Sequence, residues 1–208
     1  MLSISSFNSE AVNSVIDIFL PRFCASCEKK LKPEDEVICP ECLRSIKCPD
    51  TKRIAAEFRR KFEKERVIIE FASAFLFEEG KSFQKLIHSI KYRGRYHNAL
   101  FLGRLAGTRM KDEILSWKCD MIVPVPLHPA KKAERGYNQS YYIARGLSRV
   151  TGIPLKNNIL KRTRFTDTQT ALSIAERKAN IKGAFRLKRG AEVSGKIVIV
   201  LDDVITTT

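Results

Sequence analysis

Four cysteines near the N-terminus constrain this chain more than any other feature. Cys24-x2-Cys27 is followed after 11 residues by Cys39-x2-Cys42. Two residues between paired thiols let both sulfurs turn toward one point, and two such knuckles supply four thiolates. That set matches the closed tetrahedral shell of structural zinc. Pro33 and the acidic turn Glu34-Asp35-Glu36 fall between the pairs, where a ribbon must reverse. A disulfide pair or a redox-active CxxC would use the same spacing. Four protein ligands leave no open coordination position, which argues against catalysis by this metal. Cys48 precedes Pro49-Asp50 and begins no further CxxC, so it reads as a free thiol. Cys119 stands before a strand and reads as a small buried hydrophobe.

The chain around this cluster is 208 residues long and 44% hydrophobic. That length suits a domain of about 150 residues with a small appendage. The apolar content supports a real core and excludes a wholly disordered basic tail. Apolar runs are short: Ile197 to Leu201 stops at Asp202, far below the roughly 20 residues of a membrane span. Met1 to Glu10 lacks a cationic start and Asp17 interrupts the next apolar stretch, so no secretory signal or membrane insertion is expected. A cytoplasmic location follows as an expectation, and there six cysteines argue for metal or free thiols.

The net charge of +15 is unevenly placed. Residues 1–80 are nearly neutral, residues 81–111 hold eight basic and no acidic residues, and residues 128–196 hold 16 basic against four acidic ones. Two confined basic blocks suit a polyanionic partner, a phosphorylated metabolite or a nucleic acid, and a basic face kept for solubility would look the same.

The expected organisation is a four-cysteine module over 18–50, a connecting helix over 51–66 and an α/β domain over 67–208, cut short at its C-terminal side. Residues 67–77 (VIIEFASAFLF) read as strand. Phe83, Leu86, Ile87 and Ile90 have helical spacing over 81–93. A second helix is expected over 98–111, a strand over 120–126, a helix over 138–150 with Asn138 as N-cap, and a short helix over 175–182. The β-branched run KIVIVL at 196–201 suits a central parallel strand buried on both faces. Such alternation implies a doubly wound parallel sheet flanked by helices.

That run ends in Asp202-Asp203-Val204-Ile205-Thr206-Thr207-Thr208. In open α/β sheets ligands bind beyond the carboxyl ends of strands. Adjacent carboxylates there accept hydrogen bonds from a vicinal diol or help hold a divalent ion, and a hydroxyl-rich turn offers donors to a phosphate. Diol followed by phosphate describes a ribose 5-phosphate. The plainer reading is a strand ending in a solvated Asp-Asp turn.

The acidic pair and threonine turn resemble the phosphoribosyl pyrophosphate (PRPP) motif of type I phosphoribosyltransferases. More of the chain, about 18–208, resembles the ComF family of competence proteins, which join a four-cysteine zinc module to such a domain. The matching stretches are 120–129 (DMIVPVPLHP), 135–139 (RGYNQ), 161–164 (KRTR) with Gln169, Arg177 with Asn180, 183–185 (GAF), the final motif, and the basic patch 91–94 (KYRG). The resemblance implies a type I phosphoribosyltransferase-like fold. It also implies PRPP bound with Mg²⁺ by Asp202, Asp203, Thr206, Thr207, Thr208, Pro126, His128, Lys131 and Lys132, with Asp202, Asp203 and Arg135 at the reacting centre. Arg164, Gln169, Arg177 and Asn180 would belong to a mobile hood. Where the family has a glycine after two threonines, this chain has Thr208, whose β-carbon would hinder close approach to a phosphate.

Each of these residues also has a bland role: His128 as a turn residue, Arg177 and Asn180 as a salt bridge or cap. Three functions compete. One is transfer between PRPP and a nitrogen nucleophile. Another is binding of single-stranded DNA during natural transformation, for which Lys91, Tyr92, Arg93 and Arg95 interleave cations with an aromatic ring. Tyr96 and Phe165 are further stacking candidates. The third is a zinc-stabilised module that contacts other competence proteins.

Overall fold

The computed structural model describes residues 21–62, 67–92, 94–165 and 183–205, apart from the side chains of Lys61 and Tyr92. The expected short helix over 175–182 lies outside them, as do Arg93, Gln169, Arg177, Asn180, Thr206, Thr207 and Thr208.

A short helix, α1 (Pro40–Ser45), carries the second cysteine knuckle, with Cys39 at its N-cap and Pro40 in its first turn. The connecting helix is present as α2 (Thr51–Phe62), started by the Asp50 carboxylate, which accepts from the Arg53 N–H at 2.6 Å. It is largely exposed, as its charge predicts.

Residues 67–77 form no strand. Val67 and Ile69 are exposed, and the Leu76 N–H bonds the Lys47 carbonyl instead of a ladder neighbour. β-branched composition favours a strand only where a partner strand runs alongside, and none of the described residues supplies one.

The helical expectations that fall on described residues hold with shifted ends. Helix α3 (Ser82–Tyr92) buries Phe83, Leu86, Ile87 and Ile90. Helix α4 (Tyr96–Ser116) runs beyond the expected 98–111 span and breaks helical geometry at Met110. Strand β1 (Met121–Pro124) leads to α5 (Pro129–Arg135), then α6 (Gln139–Thr151), which ends at a left-handed Gly152 whose N–H bonds the Ser148 carbonyl at 2.8 Å. Helices α4 and α6 meet backbone to backbone. A β-carbon on Gly103 would lie 1.9 Å from the Ile143 carbonyl oxygen, and one on Gly146 2.3 Å from that of Leu100.

Strands β2 (Leu160–Arg162) and β3 (Phe185–Leu187) pair antiparallel, while β1 and β4 (Val198–Leu201) pair parallel with Met121 opposite Val198. Leu155 adds a parallel bridge to Ile122 on the other edge of β1. The centre of this small sheet is therefore β1, all four of whose residues are buried. Ile122 packs with Ala144, Leu147 and Ile153, and Met121 and Val123 with Ile159 and Val193 on the opposite face.

The expectation that 196–201 is buried on both faces is not met: Val200 is 61% and Ile197 41% exposed. Among the described residues only β1 flanks β4, so one edge stays open. The architecture is a mixed helix-and-sheet fold with a small parallel sheet. The cysteine segment packs into the same core as α3, α4 and Ile143 of α6. A Ser45–Ser82 hydroxyl bond of 2.8 Å and an Arg104–Glu36 ion pair also join it to the helices.

Candidate functional site

The metal-binding candidates converge as their spacing predicts. The four sulfurs of Cys24, Cys27, Cys39 and Cys42 lie within 4.8 Å of one another, and Cys27 and Cys39 are 3.8 Å apart. Tetrahedral zinc with bonds of about 2.3 Å separates its sulfurs by about 3.8 Å. Main-chain N–H groups of Ser26 and Cys39 point at the Cys24 sulfur at 3.5 and 3.4 Å. Burial pushes this thiol up, but the N–H donors of Cys27, Cys39 and Ser26 outweigh it and bring it down to about 7. A thiol that ionises near neutral pH is a ready metal ligand. Burial pushes the Cys42 thiol up, and the Cys24 charge adds to this, crowding that a cation would relieve. Turning the first knuckle forces Glu28 to a positive φ of 62°. The four cysteines can hold a structural zinc. All six cysteines are free of disulfides.

The acidic pair sits beyond the carboxyl end of β4, beside the first turn of α6. The Ser140 hydroxyl donates to Asp202 Oδ1 at 2.9 Å, and the Asp203 N–H donates to the same oxygen at 2.9 Å. Lys91, from the last turn of α3, pairs with Asp203 Oδ2 at 3.1 Å, both side chains being mostly buried. Asp202 keeps a solvent-open surface. Its carboxyl is nevertheless hemmed in by protein, and this burial, reinforced by the Asp203 charge, raises it to about 6. On β2, burial pulls the Arg162 guanidinium below its ordinary value while the Asp202 charge holds it up. Two carboxylates from one turn thus meet Ser140 of α6, Lys91 of α3 and the field of Arg162.

The segment after β1 faces the same end of the sheet. His128 is the N-cap of α5, its Nδ1 accepting from the Ala130 N–H at 3.3 Å. The Phe165 ring lies edge-on to His128 at 5.2 Å, with Lys131 Nζ 5.7 Å from its centre. The residue that follows Arg164 is thereby brought to the 126–135 segment. Lys132 is exposed, Pro126 half-buried. Arg135 and Lys91 line a cavity of about 390 Å³ with Gly94 and Gly136. Asn138 holds the N-cap position of α6 without capping it; its amide instead donates to the Val125 carbonyl at 3.0 Å. Tyr137 buries its hydroxyl on the Ile90 carbonyl, and burial raises this phenol to about 12. That contact anchors the α5–α6 turn to α3.

Of the DNA-binding candidates, Lys91 turns toward Asp203, and Arg95 lines a second cavity of about 320 Å³ with Phe23, Cys24 and Glu28. Ser140, Arg162 and Phe23 were absent from the sequence-based set. Arg162 lies within KRTR, which did not mark its role, and Ser140 falls just past the end of the RGYNQ stretch.

These features define a helix-and-sheet protein with a small parallel sheet and a four-cysteine cluster. Among curated proteins the chain is similar to Competence protein F of Haemophilus influenzae, 36% identical over 126 residues, which cover 59% of this chain and 55% of that protein. It is also similar to DNA utilization protein YhgH of Escherichia coli, 37% identical over 129 residues, covering 59% of this chain and 54% of YhgH. Competence protein ComFC of Bacillus subtilis is 26% identical over 212 residues, covering all of this chain and 82% of ComFC. The chain spans about half the length of the first two. No family model matches it, and no solved structure does. No helix among the described residues is long and apolar enough to cross a membrane.

Proposed function

We propose that this chain is a ComF-type protein with a phosphoribosyltransferase-like α/β domain that binds PRPP or a related phosphosugar, in a setting linked to DNA uptake. The observation that carries the reading is the Asp202–Asp203 pair at the strand end. Carboxylates held by Ser140 and Lys91 at the mouth of a parallel sheet are suited to accept two hydrogen bonds from a vicinal diol. In this reading Thr206, Thr207 and Thr208 take the 5-phosphate. Pro126, His128, Lys131, Lys132 and Arg135 receive the pyrophosphate, and Arg164, Gln169, Arg177 and Asn180 close over it. Among the described residues no group of three or more His, Asp or Glu gathers at this end. Mg²⁺ would bind with the ligand's phosphates, where it offsets their charge. Asp202, Asp203 and Arg135 would stand at the reacting centre of a transfer between PRPP and a nitrogen nucleophile.

A thermal-shift titration tests the reading. PRPP with Mg²⁺ is expected to raise the melting temperature of the wild type and leave Asp202→Asn unshifted. Saturation to 100 times Kd is worth about 2.7 kcal/mol. No shift at millimolar PRPP contradicts it.

A second reading, single-stranded-DNA binding, is favoured by the block of eight cations over 81–111 and by the exposed ring of Tyr96 beside Arg95. The names of the relatives, which mention competence and DNA utilization, support it. Here Tyr92, Arg93 and Arg95 would contact DNA, while Lys91 is engaged by Asp203.

A further inference from the structure

The first cysteine knuckle presents an aromatic ring to solvent. Phe23, immediately before Cys24, is 51% exposed although it is large and apolar. Its backbone is fixed: Phe23 bridges Lys30 antiparallel, and the Cys24 N–H bonds the Lys29 carbonyl at 2.8 Å. The ring thus stands on a rigid support beside the thiolate cluster. Across the cavity of about 320 Å³ lies exposed Arg95, at the start of α4. The next residue, Tyr96, is 40% exposed and backed by the rings of His97 at 4.0 Å and Tyr142 at 4.9 Å.

We propose that the cavity between the first cysteine knuckle and the start of α4 receives an unpaired base of single-stranded DNA, stacked on Phe23 with Arg95 toward the backbone phosphate. The proposal rests on the DNA reading above and adds to it a position no motif marks. The chemistry fits on three counts. Stacking on an open ring needs a base face, which a duplex hides and a single strand offers. Charge is complementary at Arg95, the one cation of the 81–111 block that the cavity's lining contains. The acidic wall, Glu28, repels phosphate and so leaves the backbone to the Arg95 side, with a base edge toward Glu28.

The test measures anisotropy of a fluorescein-labelled 20-residue oligo-dT with the full chain, zinc content serving as the folding control. Stacking is worth about 1–3 kcal/mol per base, so Phe23→Ala is expected to weaken binding roughly 5- to 150-fold. Its salt slope should be unchanged, since no phosphate contact is lost. Phe23→Trp should retain affinity. Arg95→Gln should reduce the slope of log K against log salt by about 0.7. Phe23→Ala binding as tightly as wild type, with its zinc intact, overturns the proposal while the DNA reading stands. If the wild type binds no oligo-dT at low salt, both fall and the PRPP reading is judged by its own titration. Oligo-rU of equal length bound far more tightly than oligo-dT would reassign the cavity to RNA and overturn the DNA assignment.

Discussion

Replacing Asp202 with Asn should remove ligand binding and make the empty protein more stable. The Asp202 carboxyl is raised from 3.8 to about 6, first by burial and then by the Asp203 charge. Its folded-state pKa exceeds the unfolded value, so its contribution to stability is full below about pH 4 and is lost as pH rises through about 6. Two units correspond to about 3 kcal/mol as a ceiling. Asp202 is solvent-open, and screening reduces this to about 1 kcal/mol. For a chain of this size that is about 3 °C in melting temperature. Asn has nearly the same shape, keeps an acceptor for Ser140 and never ionises. The assay is a pair of melting curves without added divalent cation, at pH 4 and pH 7.5. The variant should melt with wild type at the lower pH and about 3 °C above it at the higher. A variant equally destabilised at both pH values would refute the reasoning, because Asp202 would then be acting as a structural acceptor and not as a strained carboxylate.

Three further outcomes follow from the packing. Gly146→Ala should cost about 3 kcal/mol in urea unfolding, since its β-carbon would meet backbone atoms of α4 at 2.3 and 2.7 Å and the helices must separate. Lys91→Met should destabilise by about 1–2 kcal/mol at neutral pH, and a double-mutant cycle with Asp203→Asn should recover most of that as coupling; additive effects would show the 3.1 Å pair to be idle. Chelation at neutral pH should release one zinc per chain and lower the melting temperature in a single transition. The reason is that Cys24, Cys39 and Cys42 share a core with Leu86, Ile90 and Leu102; an unchanged α/β transition would contradict that shared core.

The parts of this protein visible in its sequence are those set by short-range spacing. Two CxxC pairs bring four sulfurs together because each knuckle is local, and α3 follows from the period of Phe83, Leu86, Ile87 and Ile90. What the sequence hid depends on distant partners. Residues 67–77 have strand composition and no strand beside them, and the β-branched run of β4 is open at Val200 because only β1 flanks it among the described residues. The acidic pair was legible, but its companions were not. Ser140 and Lys91 reach Asp202 and Asp203 across 62 and 112 residues of chain, and no local pattern encodes such a meeting. Lys91 shows how context reassigns a residue: read as part of a basic patch, it instead faces a carboxylate.

The central claim is that Asp202 and Asp203 hold the sugar of a phosphoribosyl ligand. Isothermal titration with PRPP and Mg²⁺, beside pyrophosphate with Mg²⁺ as the comparison, tests it most directly. The account predicts saturable 1:1 binding of PRPP that is stronger than that of pyrophosphate and lost in Asp202→Asn. Equal binding of both ligands, unchanged in Asp202→Asn, would contradict it by showing a cationic surface that reads only phosphate charge.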